Sequence, residues 1–330
     1  MARVTVFGAG AAGTALAMHL AREGEDVVVW GTEFDERALA LLRAERRHPS
    51  LPEHLPAEAR VLGPEDLPEA AANAEIAVLA ANSAGARNLA RMIGSSLGRT
   101  RIAVSIAKGL EPETLKRMSE VYAEELMSIA IVAMSGPSLA AEIAEGLHTA
   151  VAMASEDASA CEEAADLFRS KRFLVDPTDD LAGIEICGFA KNVAAIGAGI
   201  MEGLSEHLQR ESMNPRAALF TRALHEMAEL CETMGGRPET AFGLAGVGDL
   251  MVTSLGGRNR MYGEAIGMGA EPDHTLHDMQ QRGLTVEGAE SARDVHLLTE
   301  RMELDLPVHE AVYRILHEGD APESVLEALR

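Results

Sequence analysis

Two lysines are the side chains of this sequence that most clearly indicate chemistry. The 330 residues contain four lysines, and arginine provides the other cationic side chains. Lys108 and Lys191 both lie in otherwise apolar segments flanked by glycines. An arginine stays charged, whereas a buried lysine can lose its proton. We therefore expect these two lysines to transfer protons or bind anions, with ordinary structural lysines as the alternative.

The segment around Lys191 predicts a buried helix. Residues 188–200 are apolar on nearly every face, and Lys191 and Asn192 are their strongly polar members. Such a helix should be central in its domain. Burial lowers the pKa of an ammonium group, so Lys191 is placed to take or give a proton near neutral pH. A structural lysine that only pairs with a carboxylate is the alternative.

The N-terminus predicts a dinucleotide site. A strand at residues 4–7 leads into Gly8-Ala9-Gly10-Ala11-Ala12-Gly13, a helix follows, and a second strand covers 26–30. In this βαβ context Gly8 permits a tight turn, Gly10 lets the backbone approach a pyrophosphate, and Gly13 allows close helix packing. The helix N-terminus then faces the anion. A glycine-rich turn without a ligand is the alternative.

Three other segments place polar groups in apolar surroundings. Lys108 follows a strand, at the carboxyl edge where ligands of open α/β sheets lie. The turn Ser135-Gly136-Pro137-Ser138 could hold an oxyanion with its NH groups and hydroxyls. Asp249 ends a glycine-rich run and could position a polyol or a lysine, while Arg258 and Asn259 could grip a phosphate. Capped turns with a solvated arginine are the alternative.

The pattern of elements predicts two domains. Residues 1–178 alternate strands with helices, which predicts an α/β Rossmann-type, doubly wound, mostly parallel sheet. Residues 179–330 predict an all-α domain of long helices without a convincing strand. With no long linker, the domains should pack directly and leave a cleft. The expected strands are 3–7, 26–30, 59–62, 76–80, 101–106, 129–134, 148–153 and 172–176, and the expected helices include 34–46, 84–97, 113–127 and 158–170.

Composition excludes several functions. A formal charge of −23 argues against nucleic acid, whose phosphates need a cationic surface. Three widely spaced cysteines favour reduced thiols in a cytoplasm. After the N-terminus nothing approaches a membrane span of about 20 apolar residues, so none is expected. No metal is expected either, because no cysteine pair supports His274 and His277.

Taken in order, these motifs resemble the soluble NAD(P)-dependent glycerol-3-phosphate dehydrogenases over essentially the whole chain. The segments 30–35 and 256–259 look most like archaeal-type members. The resemblance implies a helical C-terminal domain like that of 6-phosphogluconate dehydrogenase, a small anionic phosphate substrate, and NAD or NADP as cofactor. It leaves a homodimer as an open expectation. The motifs are Gly8-x-Gly10-x-x-Gly13, Lys108-Gly109-Leu110, Ser135 to Ser138, Lys191-Asn192-Val193, Gly243 to Asp249, Arg258-Asn259 and Val286-Glu287-Gly288.

The resemblance also implies roles for individual residues. Lys191 would exchange a proton with glycerol 3-phosphate or dihydroxyacetone phosphate as the hydride moves, with Lys108 and Asp249 framing the reacting oxygen. Implied substrate contacts are Lys108, Gly136, Ser138, Asn192, Asp249, Thr253, Gly257, Arg258 and Asn259. Implied cofactor contacts are Gly8, Gly10, Ala11, Ala12, Gly13, Thr32, Glu33, Lys108, Ala140, Arg258, Thr285 and Glu287.

Some positions depart from the family pattern. Ala11-Ala12 stands where members often have a serine and an aromatic residue, and Gly257 replaces a common serine. Glu33 suits a ribose diol and would repel a 2′-phosphate, although Thr32 with Arg37 could still accommodate one, so cofactor choice leans slightly to NAD. The charged segment 204–215 has no evident role. The alternatives are a ketopantoate reductase-like or 3-hydroxyacid dehydrogenase-like oxidoreductase and a non-catalytic dinucleotide sensor.

Overall fold

The computed structural model describes residues 1–210 and 213–330. The chain forms two compact units, unit 1 from Met1 to Leu181 and unit 2 from Ala182 to Arg330. The segment 204–215 lies partly outside the described residues. The division into a dinucleotide-binding domain, residues 1–178, and a substrate-binding domain, residues 179–330, stays a prediction.

Unit 1 is built on an eight-stranded sheet in the order β3-β2-β1-β4-β5-β6-β7-β8. Neighbouring strands are parallel except β6 and β7, which run antiparallel. The chain first builds the sheet outward from β1 to β3 and then returns to the other side of β1, which makes the sheet doubly wound. The prediction of a mostly parallel, doubly wound sheet is confirmed. The strands are β1 Arg3–Phe7, β2 Asp26–Trp30, β3 Arg60–Leu62, β4 Ile76–Leu79, β5 Ile102–Ser105, β6 Ala130–Ser135, β7 Thr149–Ala154 and β8 Phe173–Thr178.

Helices cover both faces of this sheet. The strands are rich in Val, Ile and Ala, and most of their residues are buried, as expected of a sheet with two covered faces. One apolar cluster contains residues of α1, α2, α6 and α7, and the other contains residues of α3, α4 and α5. The helices are α1 Ala11–Arg22, α2 Glu36–Glu45, α3 Leu67–Ala72, α4 Ser83–Gly94, α5 Met118–Glu125, α6 Ala140–Glu145 and α7 Ala158–Phe168.

One predicted helix of unit 1 is shorter than expected. The sequence predicts a helix over 113–127, but α5 begins at Met118. Glu113 and Leu115 have φ angles of 68° and 56°, and a left-handed residue cannot continue a right-handed helix. An isolated bridge between Leu110 and Arg117 closes this turn. The prediction for 113–117 is therefore wrong, and the segment is a structured loop after β5.

Unit 2 is helical, and its described residues contain no strand. Its helices are α8 Leu181–His207, α9 Met213–Thr233, α10 Asp249–Gly256, α11 Arg258–Gly267, α12 Pro272–Gln281, α13 Glu287–Met302 and α14 Pro307–His317. α8 is long and apolar enough, by length and composition, to cross a membrane, so the chain contains an apolar stretch of spanning length where the sequence indicated none. Its most apolar stretch is 94% buried, which is how a core helix of a globular unit behaves.

α8 and α11 touch backbone to backbone. A β carbon on Gly263 would lie 2.1 Å from the carbonyl oxygen of Ile196, and one on Gly199 would lie 2.2 Å from that of Arg260. Gly203 and Gly267 make matching approaches one turn further along. Only glycine fits a crossing this close. The contact fixes the start of α11 beside the segment of α8 that carries Lys191.

Candidate functional site

Lys191 is buried and paired. Its side chain comes from the middle of α8, and the residue is 6% exposed. Its Nζ donates hydrogen bonds to Oδ1 of Asp249 at 3.0 Å and to Oγ1 of Thr253 at 2.8 Å. A buried ammonium without such partners would be strongly unfavourable. The predicted buried lysine is thus held by a carboxylate and a hydroxyl from one helix.

The two partners of Lys191 lie one turn apart at the start of α10. Asp249 is the first residue of that helix, where a carboxylate is favoured by the helix dipole. Thr253 donates its hydroxyl to the main-chain oxygen of Asp249 at 2.7 Å, so its oxygen is left to accept from Lys191. A π-helical turn over Leu244–Gly248 precedes them. Gly246 lets this turn fold back, because a β carbon there would lie 2.0 Å from the oxygen of Ala241.

A second buried cluster joins three helices beside Lys191. Asn259 of α11 donates its amide to Oδ1 of Asn192 at 2.9 Å and accepts from the main-chain NH of Gly288 at 3.0 Å. Asn192 and Asn259 are 2% and 7% exposed. Both ends of the Asn259 side chain are therefore engaged within the protein. The structure gives this residue a bracing role, and its predicted substrate contact stays a prediction.

Arg258 lies where its guanidinium can reach a ligand. It is exposed and is the first residue of α11, after Gly257. A β carbon on Gly257 would lie 2.7 Å from the main-chain oxygen of Thr253, which gives a physical reason for glycine in place of serine. The exposed Thr285 and the half-buried Glu287 lie at the start of α13. The hydrogen bond from the main-chain NH of Gly288 to Asn259 places the start of α13 next to the start of α11.

A buried glutamate and histidine also support α8, and the sequence analysis missed both. Glu226 of α9 accepts from the main-chain NH groups of Val308 and His309 at 2.8 and 3.1 Å, which satisfies the N-terminus of α14. Nδ1 of His309 lies 2.7 Å from Oε2 of Glu226, and Nε2 lies 3.2 Å from the oxygen of Ala190. Ala190 directly precedes Lys191. An acidic residue at an apolar position of α9 was the signal available.

The glycine turn of unit 1 forms an open cradle. Gly8 has a φ of 118°, and a β carbon on Gly8 would lie 2.8 Å from the main-chain oxygen of Ala80. A β carbon on Gly13 would lie 2.7 Å from the main-chain oxygen of Gly8. A β carbon on Gly10, by contrast, would meet no atom within 4 Å. Gly10 caps α1 without a side chain, so the first NH groups of the helix, at Ala11 and Ala12, face this space. The geometry fits a pyrophosphate.

The residues expected to bind the ribose of the cofactor follow the end of β2. Thr32 donates its hydroxyl to Oδ2 of Asp35 at 3.0 Å, and its main-chain NH bonds the same oxygen at 2.9 Å. Glu33 and Arg37 are exposed. Asp35, which the sequence did not indicate, thus accepts both hydrogen bonds that Thr32 donates. It also adds a second acidic group, beside Glu33, after the end of β2.

Lys108, Gly136 and Ser138 assemble at the ends of β5 and β6. Nζ of Lys108 donates to the oxygen of Gly136 at 3.2 Å, and the hydroxyl of Ser138 donates to the same oxygen at 2.8 Å. Gly136 has a φ of 131°, and a β carbon there would lie 3.0 Å from Cα of Val151. Ala140 is half-buried and begins α6. Three of the predicted substrate contacts therefore form one cluster in unit 1.

An ion-pair network holds the loop that carries Lys108. Arg87 of α4 bonds Glu111 at 2.5 and 2.8 Å and Glu125 at 2.6 Å. The Arg87 guanidinium beside Glu111 lowers the pKa of that carboxyl to about 2. This network has no signature in the sequence, because a half-buried arginine followed by distant glutamates forms no pattern of its own.

A Rossmann-type unit with a pyrophosphate cradle and a helical unit with a buried lysine define a two-domain NAD(P)-dependent dehydrogenase. Comparison with known families makes the assignment specific. The NAD-dependent glycerol-3-phosphate dehydrogenase N-terminus matches residues 3–161, and the C-terminus of the same family matches residues 180–327. The chain belongs to the NAD-dependent glycerol-3-phosphate dehydrogenase family.

Individual relatives agree over their full lengths. The NADP(+)-dependent glycerol-3-phosphate dehydrogenase of Archaeoglobus fulgidus is 35% identical over 98% of this chain and 97% of its own. Glycerol-3-phosphate dehydrogenase [NAD(P)+] of Clostridium acetobutylicum is 37% identical over 100% of this chain and 97% of its own. The crystal structure of glycerol-3-phosphate dehydrogenase from Coxiella burnetii has a TM-score of 0.90 at 33% identity, covering 99% and 98% of the two chains.

The predicted family is thus confirmed, and the ketopantoate reductase-like and 3-hydroxyacid dehydrogenase-like alternatives are set aside. The archaeal-type affinity stays a prediction, because the archaeal and bacterial relatives are similarly identical to this chain.

Proposed function

We propose that this chain catalyses reversible hydride transfer between NAD(P)H and dihydroxyacetone phosphate, giving sn-glycerol 3-phosphate. One observation supports this most directly: a buried Lys191, bonded to Asp249 and Thr253, in a chain of this family. A dinucleotide sensor would not need a buried lysine, which is costly to keep in an apolar helix.

In this proposal Lys191 moves the proton. Reduction of a carbonyl builds negative charge on its oxygen, which a preorganised ammonium stabilises and then protonates. Asp249 and Thr253 would hold Nζ of Lys191 in position through the hydrogen bonds that they accept from it. In the oxidative direction Lys191 accepts the proton of the substrate hydroxyl, so this direction requires the neutral amine.

The cofactor residues proposed from the sequence fit the cradle in unit 1. Gly8, Gly10, Ala11, Ala12 and Gly13 would hold the pyrophosphate of NAD(P), which supplies or accepts the hydride when bound. Thr32 and Glu33 would meet the ribose. Ala140, Thr285, Glu287, Lys108 and Arg258 remain proposed cofactor contacts.

The substrate phosphate is proposed to bind Arg258. Its guanidinium is exposed at a helix N-terminus, a position that favours an anion. Gly257, Asn192 and Asn259 would shape this position, with the two asparagines acting mainly through their bond to each other. Lys108, Gly136 and Ser138 are proposed as a second group of substrate contacts.

We propose that the enzyme slightly prefers NAD to NADP. Glu33 is exposed at the tip of β2, and Asp35 engages the hydroxyl of Thr32 there. Two acidic groups favour a ribose diol over a 2′-phosphate. A cytoplasmic location and a homodimer are further proposals, the first supported by three cysteines that form no disulfide within the described residues.

Steady-state kinetics with NADH and NADPH against dihydroxyacetone phosphate and ketopantoate tests the function. We expect turnover of the phosphate and a higher kcat/KM with NADH. Arg258→Ala should raise the KM for dihydroxyacetone phosphate more than it lowers kcat. Absence of phosphate turnover with either cofactor would reject the proposal, and an unchanged KM in Arg258→Ala would move the phosphate site.

A further inference from the structure

Unit 1 contains a pocket that the proposed reaction does not use. Its volume is about 440 Å³, within the range of small-molecule sites. We call it the basic pocket, because three cations line it. It is lined by Arg22, Lys171, Arg172, Gly146, Ile143 and Leu147, among others.

The lining of the basic pocket contains more cations than carboxylates. Within residues 1–210 and 213–330, Arg22, Lys171 and Arg172 form no ion pair, in contrast to Arg3, which pairs with Glu75, and Arg101, which pairs with Glu163. Glu23 and Glu145 also line the pocket but lie outside ion-pair distance of the three cations. The lining thus carries three cations and two carboxylates, a formal charge of 3 − 2 = +1, in a chain with a net charge of −23.

Two of these cations converge on one backbone position. Nη1 of Arg22 and Nη1 of Arg172 each lie 3.9 Å from where a β carbon on Gly146 would be. Arg172 also donates to the main-chain oxygen of Gly146 at 3.0 Å, which leaves further NH donors of the guanidinium for a ligand. Gly146 has a φ of 72°, so this turn strongly favours glycine and stays open.

Apart from Glu23 and Glu145, the remaining walls are apolar or uncharged. Ile143 and Leu147 lie on one side, and the ring of His19 stacks on Phe173 with centroids 4.5 Å apart. Burial lowers the pKa of His19, and its Nε2 lies 2.7 Å from the oxygen of Phe168, so this ring adds no charge at neutral pH. The pocket therefore combines guanidinium and ammonium donors with a hydrophobic wall.

The basic pocket is remote from the pyrophosphate cradle. His19 and Arg22 lie in the last turn of α1, and Gly10 caps its first turn. The 12 residues of α1 span roughly 18 Å at 1.5 Å per residue. A ligand in the basic pocket would thus bind at the other end of the helix whose N-terminus faces the dinucleotide cradle.

We propose that the basic pocket is a second anion site, which binds a phosphate monoester carrying a small apolar group. Bidentate and charge-assisted bonds from the guanidinium groups would hold the phosphate, and Ile143, Leu147 and the His19 ring would contact the apolar part.

Hydrogen exchange of the full chain with phenyl phosphate as the probe tests the proposal. We expect phenyl phosphate to protect the amides of residues 143–147 and 169–173, inorganic phosphate to do so more weakly, and phenol not at all. Lys171→Gln and Arg22→Gln should each weaken binding roughly tenfold, as expected for one charge-assisted contact. Arg99→Gln, an exposed cation outside the pocket, is the control and should change nothing.

The outcomes separate this proposal from the reaction. Protection confined to residues 135–140, or protection that survives Lys171→Gln, would place the probe elsewhere and overturn the proposal. Equal protection by phenol would show a purely apolar site and overturn it as well. Because exchange is read without turnover, failure of the dehydrogenase assay leaves this test unaffected. Lys171 is exposed, and its side chain forms no hydrogen bond or ion pair within the described residues, so its variant should fold even if Arg22→Gln does not.

Discussion

The two units hold their candidate residues in different ways. In unit 1, backbone geometry does the positioning: the turns at Gly8 and Gly136 have positive φ, and Lys108 bonds a main-chain oxygen. In unit 2, buried side chains bond each other, as Lys191 does with Asp249 and Asn259 with Asn192. A backbone turn tolerates changes in nearby side chains, whereas a buried polar pair depends on both members. Unit 2 should therefore be the more sensitive to single substitutions.

The largest effect is expected at Lys191. Lys191→Met should lower kcat about 10³- to 10⁴-fold, because it removes the proton donor, and should leave cofactor affinity nearly unchanged. Stopped-flow hydride transfer and equilibrium NADH binding measure the two quantities. Lys116→Met, which removes an exposed lysine paired with Glu124, should keep full activity.

Loss of folding must be separated from loss of chemistry in this experiment. Lys191→Met removes the cation that bonds the buried carboxylate of Asp249, so the variant should also be less stable. The double variant Lys191→Met/Asp249→Asn removes both charges and should recover part of the stability without activity. A double variant that turns over at the wild-type rate would exclude Lys191 as the proton donor.

The next effect tests a partner that the sequence did not reveal. Glu226→Gln should lower the free energy of unfolding by about 3 kcal/mol, since an amide cannot accept from Val308, His309 and the histidine ring together. Urea denaturation measures it. Glu229→Gln, exposed on the same helix, should change stability by less than about 0.5 kcal/mol. Equal losses in both variants would show that Glu226 has no special structural role.

The sequence predicts the fold of unit 1 more completely than the packing of unit 2. All eight strands of the sheet follow from the sequence, because each is a short run rich in apolar or β-branched residues that lies between helical or turn segments. The sequence indicates that Asp249 positions a polyol or a lysine, but it does not specify Lys191 as that lysine, since 58 residues separate the two. Glu226 and His309 were missed for the same reason. Contacts between distant residues follow from helix packing, which periodicity does not specify.

The packing of α8 on α11 offers a smaller effect of the same kind. The spacings Gly199-x-x-x-Gly203 and Gly263-x-x-x-Gly267 were present in the sequence and could have predicted this contact. Gly263→Ala should lower the free energy of unfolding by about 2 kcal/mol, because the new methyl group forces the two backbones apart. Gly256→Ala is the control, since a β carbon there meets no atom within 4 Å. If thermal denaturation shows equal stabilities, the crossing is looser than described.

The smallest effect concerns pH, where a residue from each unit gives opposite signs. In unit 1, the lowered pKa of Glu111 means that its stabilisation is present above pH 4.5 and is lost as pH falls toward 2. In unit 2, burial raises the pKa of Asp294 to about 7 from an ordinary 3.8. The folded state then holds a proton that the unfolded state releases, so stability declines as pH rises from about 4 to 7.

Asp294→Asn removes this decline. The variant should be more stable than the parent at pH 8, by on the order of a few degrees in Tm, and closer to it at pH 4. Melting curves across pH 4 to 8 measure the difference. Asp305→Asn, an exposed aspartate of the same unit, should follow the parent at every pH. A constant difference between parent and Asp294→Asn would mean that Asp294 stays ionised in the fold, and unit 2 would then owe none of its pH dependence to this carboxyl.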